Sequence, residues 1–137
     1  MKILTTVSAV VFLMILTTGL ATAKKVPVPT FPFTATGDIF SVSDGGVAGV
    51  PFSTDITVYE AGNGLFWGTI TFGTTTIEFS AVKDSSGVYT LNGQLNPGTL
   101  TVIGKFTITY VKHEGFEAAI QWDYPGIGSS FAGTLSQ

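Results

Sequence analysis

The sequence predicts an all-β domain, an antiparallel up-and-down meander of about eight strands that closes into a small β-barrel, with a β-sandwich as the alternative. Three observations predict it. Apolar and polar residues alternate almost without a break from Thr54 to Val82, TDITVYEAGNGLFWGTITFGTTTIEFSAV. Turn-forming clusters of Gly, Asn, Ser, Thr and Pro separate the later alternating runs. No stretch places apolar residues at helical spacing over three turns.

The chain opens on a targeting segment. Lys2 supplies a positive start, Ile3 to Leu20 is uncharged and mostly apolar, and Ala21-Thr22-Ala23 fits a small-x-small cleavage site. Residues 1–23 therefore read as a cleaved signal peptide, and the mature protein as secreted, extracellular or periplasmic. Removing 23 of the 137 residues leaves 114, enough for one domain with its own core. Loss of Lys2 leaves five lysines against nine acids, and no Arg occurs, which excludes the clustered cations that nucleic acid requires. With no Cys, an exported chain must be held by packing alone.

Residues 24–32 (KKVPVPTFP) carry three prolines within six residues, Pro27 to Pro32, which exclude helix and central strand and predict an extended arm. The single domain then covers residues 33–137, with a first strand over Phe33 to Val42 and a Gly-rich connection over Ser43 to Phe52. Gly62-Asn63-Gly64 suits a three-residue hairpin loop that pairs Tyr59 with Trp67 and Ile56 with Ile70. Ile56, Val58, Phe66, Gly68, Ile70 and Phe72 then share one face; Asp55, Thr57, Tyr59, Trp67, Thr69 and Thr71 share the other. A turn at Thr74-Thr75 would set Phe72 against Ile77 and bring Val82 beside Trp67.

Ser85-Ser86-Gly87 places Ala81 opposite Leu91, and Pro97-Gly98 places Leu95 opposite Leu100. A loop at His113-Glu114-Gly115 would set Tyr110 against Ala118, Phe106 against Trp122 and Lys105 against Asp123. Pro125 to Gly128 lets Trp122 meet Phe131. Apolar residues face apolar residues throughout, and a slip of one residue would invert a strand. Closing the first strand on the last would remove both sticky edges, with inward Gly68, Gly93, Gly104 and Gly133 easing the bend.

Catalytic chemistry finds no constellation. The one histidine, His113, falls in a surface turn beside Glu114, away from any nucleophile, and lacks the companions a metal site needs. Glu78, Asp123, Glu114 and Glu117 read as solubilising residues rather than a converging pair. The chain is expected to be a non-catalytic binding protein without cofactor or metal. Its interior is wide enough for one small apolar ligand, with Tyr89, Phe106, Tyr110, Trp122 and Tyr124 as the lining and its polar handles. Outside, Tyr59, Trp67 and Val82 form an aromatic patch among Thr and Ser, a platform for a sugar ring or a partner. The Pro-rich arm with Phe33, residues 24–33, offers a third route, self-association by strand addition to build an extracellular assembly. Short strands and loops argue against a lipid-facing barrel.

Overall fold

The computed structural model describes residues 27–42, 51–96 and 98–137; the expected signal peptide, the start of the expected arm and most of the expected Gly-rich connection lie outside the described residues. Eight strands follow in chain order: β1 (Phe33–Ser41), β2 (Phe52–Gly62), β3 (Leu65–Phe72), β4 (Thr75–Lys83), β5 (Val88–Asn96), β6 (Thr101–Val111), β7 (Gly115–Tyr124) and β8 (Ser129–Ser136). Each pairs antiparallel with its chain neighbours, and β1 pairs with β8, so the meander closes into a barrel. Closure satisfies the hydrogen-bonding edge that β1 and β8 would each otherwise present.

The alternation that marks the strands decides which way they face. Most apolar side chains of the strands point inward, with Phe33, Ile56, Ile70, Ile77, Leu91, Phe106, Trp122 and Leu135 among the buried core, while Leu65, Trp67, Val82 and Ile103 stay exposed. The outer wall carries Thr, Ser, Asp, Glu, Asn and Gln, the reverse of a barrel whose outer band meets lipid. Each large core side chain contributes about 1.5–3 kcal/mol on burial, so the inward rings dominate stability. The rings interlock: Tyr89 stacks on Phe106 at 4.5 Å, and Phe66 meets Tyr89 edge-on at 5.0 Å.

Turn chemistry sets the register, and in two hairpins it differs from the sequence expectation. The β3–β4 connection is the two-residue loop Gly73-Thr74, in which Gly73 takes the positive φ that the first position of a type II′ turn demands. Phe72 accordingly faces Thr75, and Ile70, not Phe72, faces Ile77. At β6–β7 the chain reverses over Lys112-His113-Glu114, with His113 at φ 66°, so Tyr110 faces Phe116 and Phe106 faces Ile120. Lys105 lies opposite Gln121, and Asp123 faces Ile103, so the expected charge pair does not form across the ladder. Both displacements are of two residues, and the period of two keeps every side chain on its expected face. The β2–β3 loop is also tighter than expected: Asn63 and Gly64 alone make the turn, with a bulge between Glu60 and Gly62.

The remaining turns match the expectation. Asp84 closes the β4–β5 loop, its Oδ1 accepting from the backbone N–H of Ser86 and Val88. These hydrogen bonds, led by one from the Ser86 hydroxyl, hold the Asp84 carboxyl below its ordinary pKa. Leu95 N–H donates to the Leu100 carbonyl, and Trp122 faces Phe131 across β7–β8.

Candidate binding surfaces

The five residues expected to line an interior site do not form one. Tyr89, near the start of β5, stacks on Phe106 of mid-β6, Trp122 and Tyr124 lie towards the end carrying the β3–β4 and β7–β8 loops (the upper end), and Tyr110 sits at the opposite rim. Tyr110 keeps its inward register but is 39% exposed, its ring packed against Phe116 at 5.5 Å. Tyr89, Phe106, Trp122 and Tyr124 are buried, with almost no surface open to solvent or to any water-sized void. The middle of the barrel is therefore filled by its own side chains. Burial pushes the Tyr89 hydroxyl above its ordinary pKa, with the Glu60 charge adding to the effect. Burial does the same for Tyr124.

Packing loosens towards the upper end. Phe72 meets Trp122 edge-on at 5.1 Å and Phe131 lies 5.7 Å from it, yet both phenylalanines are only half-buried. Phe52, packed on Phe72 at 4.9 Å, is 39% exposed. Among these rings the Trp122 Nε1–H is fully buried and donates to no acceptor. The Tyr124 hydroxyl lies close enough for the indole N–H to lower its pKa against the larger effect of burial, although the contact falls short of a well-formed hydrogen bond. A buried donor left unpaired costs about 1–3 kcal/mol.

The outer wall holds the second feature. Tyr59 on β2 and Trp67 on β3 are direct cross-strand partners, and their rings stack at 4.2 Å and 14°. Trp67 is nonetheless 51% exposed, and the arm residues 27–32 leave it uncovered; Phe31 of that arm packs instead on Phe66 at 5.1 Å. Val82 does not flank Trp67 directly. It faces Leu65, and the two, 55% and 48% exposed, continue the apolar strip towards the lower end.

Across from Trp67 on β4 stands Ser80, and across from Ser80 on β5 stands Asn92. These two belong to an open groove of about 450 Å³ that Glu78, Gln94 and Thr101 also line. The Asn96 amide donates to the Glu78 carboxylate at 2.8 Å and steadies it beside the groove. Since Tyr59 covers the indole from the β2 side, the free face of Trp67 turns towards β4 and this groove. Sequence reasoning missed Leu65, Ser80, Asn92 and Gln94 as site residues. The row Trp67–Ser80–Asn92 was readable once Gly73 was given the turn.

The other expected features stay apart. His113 and Glu114 are exposed in the β6–β7 turn, and Glu117 and Asp123 sit on separate stretches of β7. Among the described residues no group of three or more His, Asp or Glu could hold a metal ion. The closed barrel gives an extended arm no unpaired strand of this sheet to join. No family model, no curated protein and no solved structure matches this chain.

Proposed function

We propose that this chain is an exported, non-catalytic binding module that holds carbohydrate on its outer wall. The observation that carries the reading is the exposed Trp67, stacked on Tyr59 and lying across from Ser80, which lines a groove of polar side chains. A pyranose has an apolar C–H face, which stacks on the electron-rich face of an indole, and a rim of hydroxyls that both donate and accept. Glu78 accepts such hydrogen bonds, while Asn92, Gln94, Ser80 and Thr101 do both. Neighbouring strands lie roughly 5 Å apart, so a ring stacked on Trp67 brings its hydroxyls over Ser80 and towards Asn92. The groove is open along its length, which suits a chain of sugars better than an enclosed small molecule. The filled middle of the barrel favours this surface over a fully interior site.

The test is retention of the purified mature chain on insoluble cellulose, chitin, xylan and mannan. Wild type should be retained by at least one polymer, and Trp67→Ala and Asn92→Ala should each release it while circular dichroism stays unchanged. Retention that survives Trp67→Ala, or a wild type that ignores all four polymers, overturns the reading.

A further inference from the structure

We infer that the glycan held on this wall carries amino sugars, the Glu78 carboxylate receiving their ammonium group while the ring stacks on Trp67. The inference rests on the carbohydrate reading of the Trp67 wall and names the class of sugar within it. Register brings the two side chains to one sugar. Glu78 and Ser80 lie two residues apart on β4, so both face outward. Ser80 faces Trp67 directly and Glu78 faces Thr69, which makes Trp67 and Glu78 diagonal neighbours. Such neighbours lie roughly 7–8 Å apart across an antiparallel pair, within reach of long side chains. The Glu78 side chain covers part of that gap, and a substituent of the stacked sugar ring covers the rest.

Charge selects the substituent. Glu78, Ser80, Asn92, Gln94 and Thr101 supply the polar lining of the groove, with no lysine among them. Lys105 belongs to the two other grooves of the wall. Glu78 accepts one hydrogen bond, from the Asn96 amide, and forms no ion pair among the described residues. A carboxylate offers about four acceptor positions, so most of them stay open to a ligand. The chain as a whole carries nine acids against six lysines, and its wider field acts in the same direction. A sugar hydroxyl would use Glu78 as an ordinary acceptor, whereas an ammonium pairs with it through a charge-assisted hydrogen bond. N-acetylation keeps one N–H but removes the charge. A uronic acid would set its own carboxylate against Glu78 and is disfavoured.

Isothermal titration of the mature chain compares chitosan hexaose with its fully N-acetylated counterpart, at mildly acidic pH where the free sugar amine is protonated. Wild type should bind the amino form about fivefold more tightly at low salt, the gain shrinking as salt is raised. Glu78 is exposed, so Glu78→Gln costs little stability and keeps an acceptor for the Asn96 amide. That variant should lose the gain while binding the acetylated form as wild type does. Equal affinity for the two forms, or a gain that survives Glu78→Gln, overturns the inference. The carbohydrate reading survives that result wherever binding of the acetylated form still depends on Trp67. Amino-form binding that persists in Trp67→Ala, or that trilysine displaces equally well, marks plain cation capture and overturns the inference too. Retention on cellulose, xylan and mannan, which carry no amine, tests the broader reading on its own.

Discussion

Gly93 on β5 is the position where a single methyl group should reveal how tightly this barrel is closed. It faces inward opposite Phe79, and a Cβ built on it would lie 2.5 Å from the Glu78 carbonyl oxygen and 3.0 Å from the Phe79 Cβ. The carbonyl belongs to the neighbouring strand's backbone, so it cannot swing aside as a side-chain tip would. To restore even a close contact of 3.0 Å, the β4–β5 ladder must open by about half an ångström. Overpacking of this kind costs about 1–3 kcal/mol, and alanine's advantage over glycine in a strand returns about 0.5–1 kcal/mol. Because the clash is with backbone at 2.5 Å, the upper part of that range applies, about 2–3 kcal/mol, and Gly93→Ala should destabilise by about 1–2.5 kcal/mol, or roughly 4–20 °C in Tm for a domain of this size. Gly126→Ala is the control: its Cβ would meet only Leu100 Cδ1 at 3.5 Å, an ordinary contact, and the change should fall within about 0.5 kcal/mol. Thermal and urea unfolding followed by circular dichroism measure both. A Gly93→Ala protein as stable as wild type would show that the strands are not held at this separation.

Two further outcomes follow from the packing and the titration of the core. Phe106→Ala, which removes a buried ring stacked on Tyr89, should cost about 3–5 kcal/mol in urea unfolding, whereas Tyr110→Ala at the exposed rim should cost about 1 kcal/mol or less. Tyr89 and Tyr124 have folded-state pKa values raised by burial, so the folded chain holds their protons longer than the unfolded chain does. Their contribution is fully present below the ordinary tyrosine pKa of about 10 and is lost as pH rises through the raised values. Alkaline unfolding, read by tyrosinate absorbance together with circular dichroism, should therefore move to higher pH in Tyr89→Phe and in Tyr124→Phe; an unmoved midpoint in both would refute the assignment.

The faces of the strands were legible in the sequence because a period of two leaves no intermediate choice. Ile56, Val58, Phe66, Ile70, Phe79, Leu91 and Ile120 all lie inside, and β1 meets β8 as the need to bury two edges requires. Register was legible only where the turn residues were unambiguous. Asp84 to Val88 offers one good loop, with Gly87 at the positive φ, and Ala81 faces Leu91 as read. At Gly73-Thr74-Thr75 and at Lys112 to Gly115 several neighbouring residues could host the reversal, and alternation cannot separate registers two residues apart. That ambiguity left the inside and outside lists intact but moved lateral neighbours. Asp123 lost its expected partner Lys105, and Trp67 gained Ser80. A binding surface on a sheet is made of lateral neighbours, so the candidate site was less legible than the core. The unpaired Trp122 donor was beyond reach altogether, since a missing hydrogen bond depends on the positions of every ring around it.

The inward glycines tie the packing of this barrel to the shape of its outer wall. Eight strands must bend steeply to close around a core as rich in rings as this one, and a strand bends most easily where the inner face has no side chain. Phe79 takes up the space so released, lying against both Gly68 and Gly93. Where a strand dips towards the axis, its outer surface turns concave. Three grooves on the outer wall each include one such glycine: Gly93 in the groove beside Trp67, Gly104 in one of about 360 Å³ and Gly133 in one of about 530 Å³. Concavity alone thus comes with closure and does not single out a site. What separates the Gly93 groove is its row of neighbours, an exposed indole backed by Tyr59 on one flank and Ser80, Asn92, Glu78 and Gln94 within it. The groove at Gly133 is floored by Ala119 and Ala132 and has no aromatic face at its edge comparable with Trp67. The fold supplies hollows at several points on the wall, and Trp67 gives one of them a surface on which a sugar ring can rest.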